Sequence, residues 1–446
     1  MLTRALPAGL DLVALHAAFP DRFPVLLESR ARHARSGRYD LLLAGNGHRL
    51  VQVSPNQVRD EHDQTVGEHL LDLVDQNLSG LELQPGPGHF AGGYALLLSY
   101  EFAACLEPKL ASTLPRDTSP LAIALRTPLA LVRDHEDNSV TAVFEPAAAP
   151  WAEAVLGQLR VEPLPAIAPL SLSQWQEDDP AGFIAGVERI REYVAAGDVF
   201  QVNLSRRWHG HMAPGTLPID LYRRLREANP APFAGSFRFG DLAVLSSSPE
   251  RLVSVRGDQV ETRPIAGTRP RGIGEHDDRL QAELMSHPKE RAEHVMLIDL
   301  ERNDLGRVSV PGSVEVDELM GMESYTHVHH IVSNVRGRLR PDASVRDIVA
   351  AVFPGGTITG CPKIRCMQII AELEQAPRGF YTGAMGFIGP GRQMELNILI
   401  RTMTLRGQSL SLRAGAGIVF DSVPARELDE TRHKARGLLR ALERDA

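Results

Sequence analysis

The chain has 446 residues, 43% hydrophobic and 23% charged, which suits two or three domain-sized units with enough apolar material for a large core. A net charge of -8 with both signs interspersed argues against a nucleic-acid or anionic-membrane partner. The three cysteines, Cys105, Cys361 and Cys366, lack disulfide or zinc-site spacing, no apolar run is long enough to cross a bilayer, and Asp11 interrupts the N-terminal apolar stretch, so a cytoplasmic protein is expected.

Short apolar runs alternate with turns through the first third, and YDLLLAG (39–45), GGYALLLSY (92–100) and LALVRD (129–134) read as strands. Residues 162–180, EPLPAIAPLSLSQWQEDDP, are rich in Pro and polar residues and read as a linker or an inter-lobe crossing. This divides an N-terminal region, 1–170, from a second region, 171–446. Phe183, Val187, Ile190 and Val194 then recur at helical spacing, with Gly197 as the stop. Strands at 242–248 and 252–257 follow, then a helix over 279–299, an alternating strand HVHHIVSNV (327–335), and helices over 361–374 and 425–442. The pattern is α/β with large sheets rather than a βαβ repeat. PGGTITGCPK (354–363) has the glycine spacing of a phosphate loop, but Cys361 and Pro362 stand where Lys and Ser/Thr should follow. GFIGPG (386–391) and GAGIVF (415–420) fail as dinucleotide fingerprints.

Two acidic pairs carry the first chemical signal. Glu290 and Glu293, and again Glu427 and Glu430, are three residues apart in helical segments, so each pair shares a face. Two such faces brought together would make an all-oxygen site suited to Mg²⁺, although a Glu pair on a helix is more often a solvated face. Glu250, after Pro249 at a strand–turn junction, could have a raised pKa and serve as a general acid, against the plain alternative of a turn carboxylate. ETRPIAGTRPRG (261–272) offers Thr268, Arg269 and Arg271 to an anion, or is a basic surface turn. Strand alternation puts His330 and Ile331 on opposite faces.

Together, SSSPE (246–250), PIAGTRPRG (264–272), AEHVMLIDLERNDLGRV (292–308), GGTITGCPK (355–363), the segments around Tyr381 and Arg401, and AGAGIVFDS (414–422) with its trailing acidic helix resemble, in order, the chorismate-utilising enzymes. The nearest types are component I of aminodeoxychorismate synthase and of anthranilate synthase. The likeness is dense over 180–446 and looser before, at LLES (26–29) and GGYALLLSYE (92–101). It implies two large antiparallel sheets packed together with flanking helices. It also implies Mg²⁺ on Glu293 and Glu430, with Glu290 and Glu427 beside them, to neutralise the ring carboxylate of chorismate. By the same resemblance Glu250 is the acid at the leaving hydroxyl and His330 lies near the ring. Tyr381, Arg401 and the amides around Gly415 and Gly417 hold the enolpyruvyl carboxylate. Thr268 and Thr357 supply hydroxyl contacts, and Lys434 a balancing charge.

Within the family, the hydrating members use a lysine base where this sequence has Gln201, which favours ammonia as nucleophile. Many aminodeoxychorismate synthases carry PIKGT with a nucleophilic lysine; here Ala266 stands in its place, which alone favours anthranilate synthase. NPAPFAGSF (229–237), TGCPK (359–363) and VHHIVS (328–333) have the aminodeoxychorismate flavour, and some such enzymes carry PIAGT. The expected reaction is therefore amination of chorismate to 4-amino-4-deoxychorismate, towards para-aminobenzoate and folate, with anthranilate plus pyruvate as the alternative. No cysteine has an amidotransferase context, so ammonia from glutamine would need a separate glutamine amidotransferase subunit. LLES resembles a tryptophan-binding motif. A catalytically dead, tryptophan-binding relative is disfavoured by the intact set of Glu250, Glu293, Glu430, Tyr381 and Arg401.

Overall fold

The computed structural model describes the chain except residues 32–36, 82, 161–162, 168, 272–273, 325–327 and 444–446, and except the side chains of Thr268, Pro270, Glu275, Lys289 and Val328. Among the described residues the strands form two sheets of twelve, paired antiparallel throughout. The alternation along each strand decides the layering. In Tyr39–Ala44, Leu41 and Leu43 face the space between the sheets, while Leu42 faces outward. In Tyr94–Leu98 of the second sheet, Ala95 and Leu97 face inward and Leu96 and Leu98 outward. These strands are therefore apolar throughout because both faces are covered. Each leucine removed from water contributes roughly 2 kcal/mol, so a charge at Leu97 would disrupt the inter-sheet layer.

Helices close the outer faces. Leu12–Ala18, Ala149–Gly157, Pro218–Ala228 and Pro424–Leu442 cover the first sheet. Leu70–Leu78, Pro288–Gly306, Val345–Val352 and Lys363–Glu374 pack with the second, in a cluster that reaches Val202, Leu204, Ala416 and Ile418 of the first. Residues on both sides of 170 supply strands to both sheets.

Two sequence expectations need correction. The stretch read as a linker contains an edge strand, Leu172–Glu177, paired with Gln201–Met212; its polar residues mostly face solvent, so it carries no apolar alternation. The helix expected over 279–299 is two helices, Glu275–Ser286 and Pro288–Gly306. Pro288 cannot continue a helix from behind, and it pushes His287 into an extended conformation. The helix Pro180–Ala195 matches its reading: Asp179 caps Ala181 N–H, Phe183, Val187 and Ile190 are buried, and Gly197 at φ +81° follows the end.

The chain changes sheets twice in a way that matters for the site. Leu242–Ser248 lies in the first sheet and Arg251–Arg256 in the second, so Pro249–Glu250 is a crossing. Met394–Ile398 lies in the second and Thr402–Arg406 in the first, so Leu399–Arg401 crosses back. The crossings are tied together: Ile398 N–H donates to the Glu250 carbonyl and Ser247 N–H to the Arg401 carbonyl, each at 3.0 Å.

Candidate active site

Glu250 is 6% exposed, and among the described residues its side chain accepts one hydrogen bond, from Thr357 Oγ1 at 2.9 Å. Burial pushes its pKa up to about 7, against the opposing pull of that bond and of the Arg401 and Lys434 cations. A carboxyl group in that state can both give and take a proton near neutrality. Thr357 sits in the short turn Gly356–Ile358, where a Cβ on Gly356 would stand 2.2 Å from Leu300 Cδ2; glycine lets the turn press onto the helix Pro288–Gly306 and brings the hydroxyl to Glu250.

Arg401, on the second crossing, adopts φ +52°. Its guanidinium has no hydrogen-bond partner among the described residues, and burial lowers its pKa while Tyr381, Glu250 and Glu430 oppose that shift. A cation left unengaged in a partly buried position is a seat for an anion. Tyr381, buried and near enough to oppose that shift, lies against Gly415, where a Cβ would be 3.0 Å from Tyr381 Oη. Lys434 Nζ donates to the Gly415 carbonyl at 3.1 Å and pairs with Glu430 at 2.6 Å. Gln201 lies against Gly417, where a Cβ would come within 2.7 Å of Nε2.

On the other flank, Ala266 and Thr268 lie in the strand Ile265–Pro270, with Thr268 in register with His330; the Thr268 side chain is outside the described residues. His330 Nδ1 lies 3.3 Å from the Gly267 carbonyl, and burial lowers its pKa to about 4, so it is neutral at pH 7. Glu290 pairs with Arg269 at 3.1 Å. Glu293 and Glu427 stand one helical turn from Glu290 and Glu430 and also have partners. Among the described residues no three His, Cys, Asp or Glu side chains gather closely enough to hold one metal ion. The four carboxylates suit Mg²⁺ by donor chemistry, but Arg269 and Lys434 hold one of each pair here.

Two buried clusters were not legible in the sequence. Glu374 bridges Arg378 at 2.6 Å and Arg413 at 2.7 Å, all three side chains at most 5% exposed. Arg378 lies 4.8 Å from the Tyr100 ring centroid and 5.7 Å from that of Tyr381, and donates to the carbonyls of Ile358 and Asn203. It thus ties the Tyr381 segment to the turn carrying Thr357. Glu301, Asp304 and Lys363 form the second; Lys363 pairs with Asp304 at 2.8 Å, and burial and Asp304 push Glu301 up to about 8. The available signal was charge inside apolar helical runs, as in IIAELEQAPRGF (369–380).

A separate cavity of about 760 Å³ is lined by Leu27, Glu28, Ser29, Phe233, Ala234 and Met385, among others. Glu28, in its wall, pairs with Arg226 at 2.6 Å and accepts from Tyr222 Oη at 2.7 Å.

A buried acid poised near neutrality, an uncommitted guanidinium and a buried phenol come together where the two sheets exchange strands, an arrangement able to exchange a proton and to seat a small anion. The sequence family described as chorismate binding enzyme matches residues 25–440, and the chain belongs to it; it is a chorismate-utilising enzyme. It is 39% identical to aminodeoxychorismate synthase component 1 of Bacillus subtilis, over 98% of this chain and 97% of that one. It is equally 39% identical to anthranilate synthase component 1 of Streptomyces coelicolor, over 95% and 84%. Anthranilate synthase component I from Streptococcus pneumoniae superposes with a TM-score of 0.80 at 33% identity, covering 90% of this chain and 92% of that one. The fold extends to the menaquinone-specific isochorismate synthase of Escherichia coli, with a TM-score of 0.76 at 21% identity over 99% and 94% of the two chains.

Proposed function

We propose that this protein aminates chorismate with ammonia to 4-amino-4-deoxychorismate, using ammonia released by a separate glutamine amidotransferase subunit, in a cytoplasmic route to para-aminobenzoate and folate. The observation that carries amination is Gln201: a neutral amide occupies the position beside Gly417 where water addition would need a base. The full-length likeness to the Bacillus enzyme supports the C4 product. Ala266 and the equal identity to the Streptomyces enzyme support the second reading, anthranilate plus pyruvate.

Mg²⁺, held by Glu293 and Glu430 with Glu290 and Glu427 beside them, would neutralise and orient the ring carboxylate. Arg401 and Tyr381 receive the enolpyruvyl carboxylate, with the amides around Gly415 and Gly417 behind it. Glu250 gives its proton to the C4 hydroxyl, which leaves as water. Neutral His330 packs beside the ring without adding charge. Tryptophan as a ligand of the second cavity is supported by that cavity's size and by its mixed walls, where Phe233 and Met385 could face the ring and Glu28, Arg251 and Glu395 the charged end; a rise in melting temperature on adding tryptophan is expected.

The deciding experiment is chorismate, ammonium and Mg²⁺ with the purified chain, and chromatography of the product. 4-Amino-4-deoxychorismate supports the proposal, anthranilate with pyruvate replaces it with the second reading, and isochorismate would refute amination.

A further inference from the structure

Strand Gln201–Met212 pairs antiparallel with Ser409–Ile418, placing Asn203 opposite Gly417 and Ser205 opposite Gly415. Residues 201, 203 and 205 share one face of the strand. Their side chains lean diagonally by the same step. A Cβ on Gly417 would meet Gln201 Nε2 at 2.7 Å, and one on Gly415 would meet Asn203 Oδ1 at 2.6 Å, while Arg413 Nε bonds Ser205 Oγ at 3.1 Å. The ladder ends differently at its two ends. Ser205 is engaged by Arg413 and Glu374. Gln201 Oε1 and Asn203 Oδ1, in residues 3% and 7% exposed, have no hydrogen-bond partner among the described residues. The Asn203 backbone is fully committed, its N–H to the Thr359 carbonyl at 2.9 Å and its carbonyl to Arg378 Nη2 at 2.7 Å, so only its amide head is uncommitted.

Two buried acceptors without donors are unfavourable unless a ligand supplies N–H or O–H groups. The carboxylates of chorismate carry only acceptors, and its single hydroxyl, assigned to Glu250, has one proton and cannot satisfy both. We propose that Asn203 and Gln201 together form the seat for ammonia, accepting its N–H bonds through Oδ1 and Oε1. This deepens the amination reading and rests on it.

The chemistry of the seat fits the nucleophile. Ammonia has three N–H donors and one lone pair. Holding it by its N–H bonds leaves the lone pair for the ring. A C–N bond then forms as the C–O bond to the leaving hydroxyl breaks; the Glu250 proton departs with that oxygen as water, and the surplus proton on the new ammonium group returns to the Glu250 carboxylate. Acceptors that are amides, not carboxylates, are also apt. A carboxylate would hold ammonium as an ion pair and withhold its lone pair. The charged and titratable groups around the seat are Lys434 on the Gly415 carbonyl with Glu430 paired to it, Tyr381 beside Gly415, Arg378 on the Asn203 carbonyl, Arg413 and Glu374 at Ser205, and Cys366 on the Gln201 carbonyl.

The test uses the full chain with ammonium chloride, chorismate and Mg²⁺. Asn203→Ser should raise the KM for ammonium roughly tenfold with the KM for chorismate within about twofold of wild type. Asn203→Asp, of the same shape, should lower kcat at least tenfold near pH 7.5 without raising the KM for total ammonium, and its rate relative to wild type should climb as the pH rises. That ratio divides out the titration of Glu250. If the KM for chorismate moves instead, Asn203 holds substrate and the proposal is wrong. It is equally wrong if both variants keep their ammonium dependence and relative pH profile. Wild-type protein that turns over chorismate without incorporating ammonia would overturn the amination reading itself, a failure distinct from either variant result.

Discussion

Replacing Glu250 with Gln should stop turnover and stabilise the fold, with a stabilisation that grows with pH. The folded-state pKa, about 7, lies above the ordinary value of 4.5. The folded protein therefore binds this proton more tightly than the unfolded chain does. Its effect is negligible well below pH 4.5, where both states are protonated. Between 4.5 and 7 the unfolded chain ionises first, so stability falls as pH rises, and the loss is complete above 7. At about 1.36 kcal/mol per pKa step, the full cost is about 3 kcal/mol, reached near pH 8, and about 1 kcal/mol at pH 5.5. Gln carries no charge to desolvate, and its amide oxygen can still accept from Thr357 Oγ1. With a melting entropy of roughly 0.9 kcal/mol/K for a chain of this length, the variant should melt roughly 3 °C above wild type at pH 8 and roughly 1 °C above at pH 5.5. Calorimetry on both proteins across that range makes the comparison, beside a turnover assay in which the variant loses roughly 10²–10⁴-fold. A pH-independent difference, or a variant less stable throughout, would refute the account of Glu250 as a carboxyl held against its own solvation.

Glu293→Gln and Glu430→Gln should each abolish most turnover; near-normal rate with unchanged Mg²⁺ dependence in either would remove that residue from the metal site. Arg401→Lys should raise the KM for chorismate at least tenfold while leaving the melting temperature nearly unchanged, because a point charge loses the planar fork that matches a carboxylate. Glu374→Gln leaves Arg378 and Arg413 as buried cations facing a neutral amide; a loss of about 3–5 kcal/mol is expected, and an unaltered denaturation midpoint would contradict the network. Gln201→Lys should yield traces of isochorismate, and their absence by chromatography in a folded variant would weaken the reading of that position.

Strands whose two faces are both covered, such as Tyr39–Ala44, were plain in the sequence because continuous apolar runs bounded by turns have few other uses. The edge strand Leu172–Glu177 was not, since nothing buries its side chains and its pairing is a backbone matter. Periodicity could locate the strands around Glu250 and Arg401 but not reveal that they cross between sheets, which is what gathers those two side chains. Their assignment came from the order of motifs. Glu374 escaped because a charge in an apolar helix looks like a solvated position until its partners fold against it, Arg378 from the loop after the helix and Arg413 from a strand 39 residues away. Asn203 escaped because an asparagine in a strand announces nothing until both of its neighbours across the ladder prove to be glycine.

Among the described residues each sheet has a single seam between strands from before and after residue 170: Val25–Glu28 against Phe233–Phe239 in one, Tyr94–Leu98 against Ala384–Ile388 in the other. Cutting the chain near that residue would leave each piece with two bare, apolar strand edges, which are templates for aggregation. Neither piece is expected to stay soluble alone, while the two produced together have complementary edges and should re-form the enzyme. The second cavity opens at the first seam and against one strand of the second: Leu27, Glu28, Tyr39 and His89 line it from before residue 170, and Phe233, Ala234, Met385 and Phe387 from after it. Any ligand seated there stitches the halves, so its binding energy is spent on the same joints that hold the active site in register.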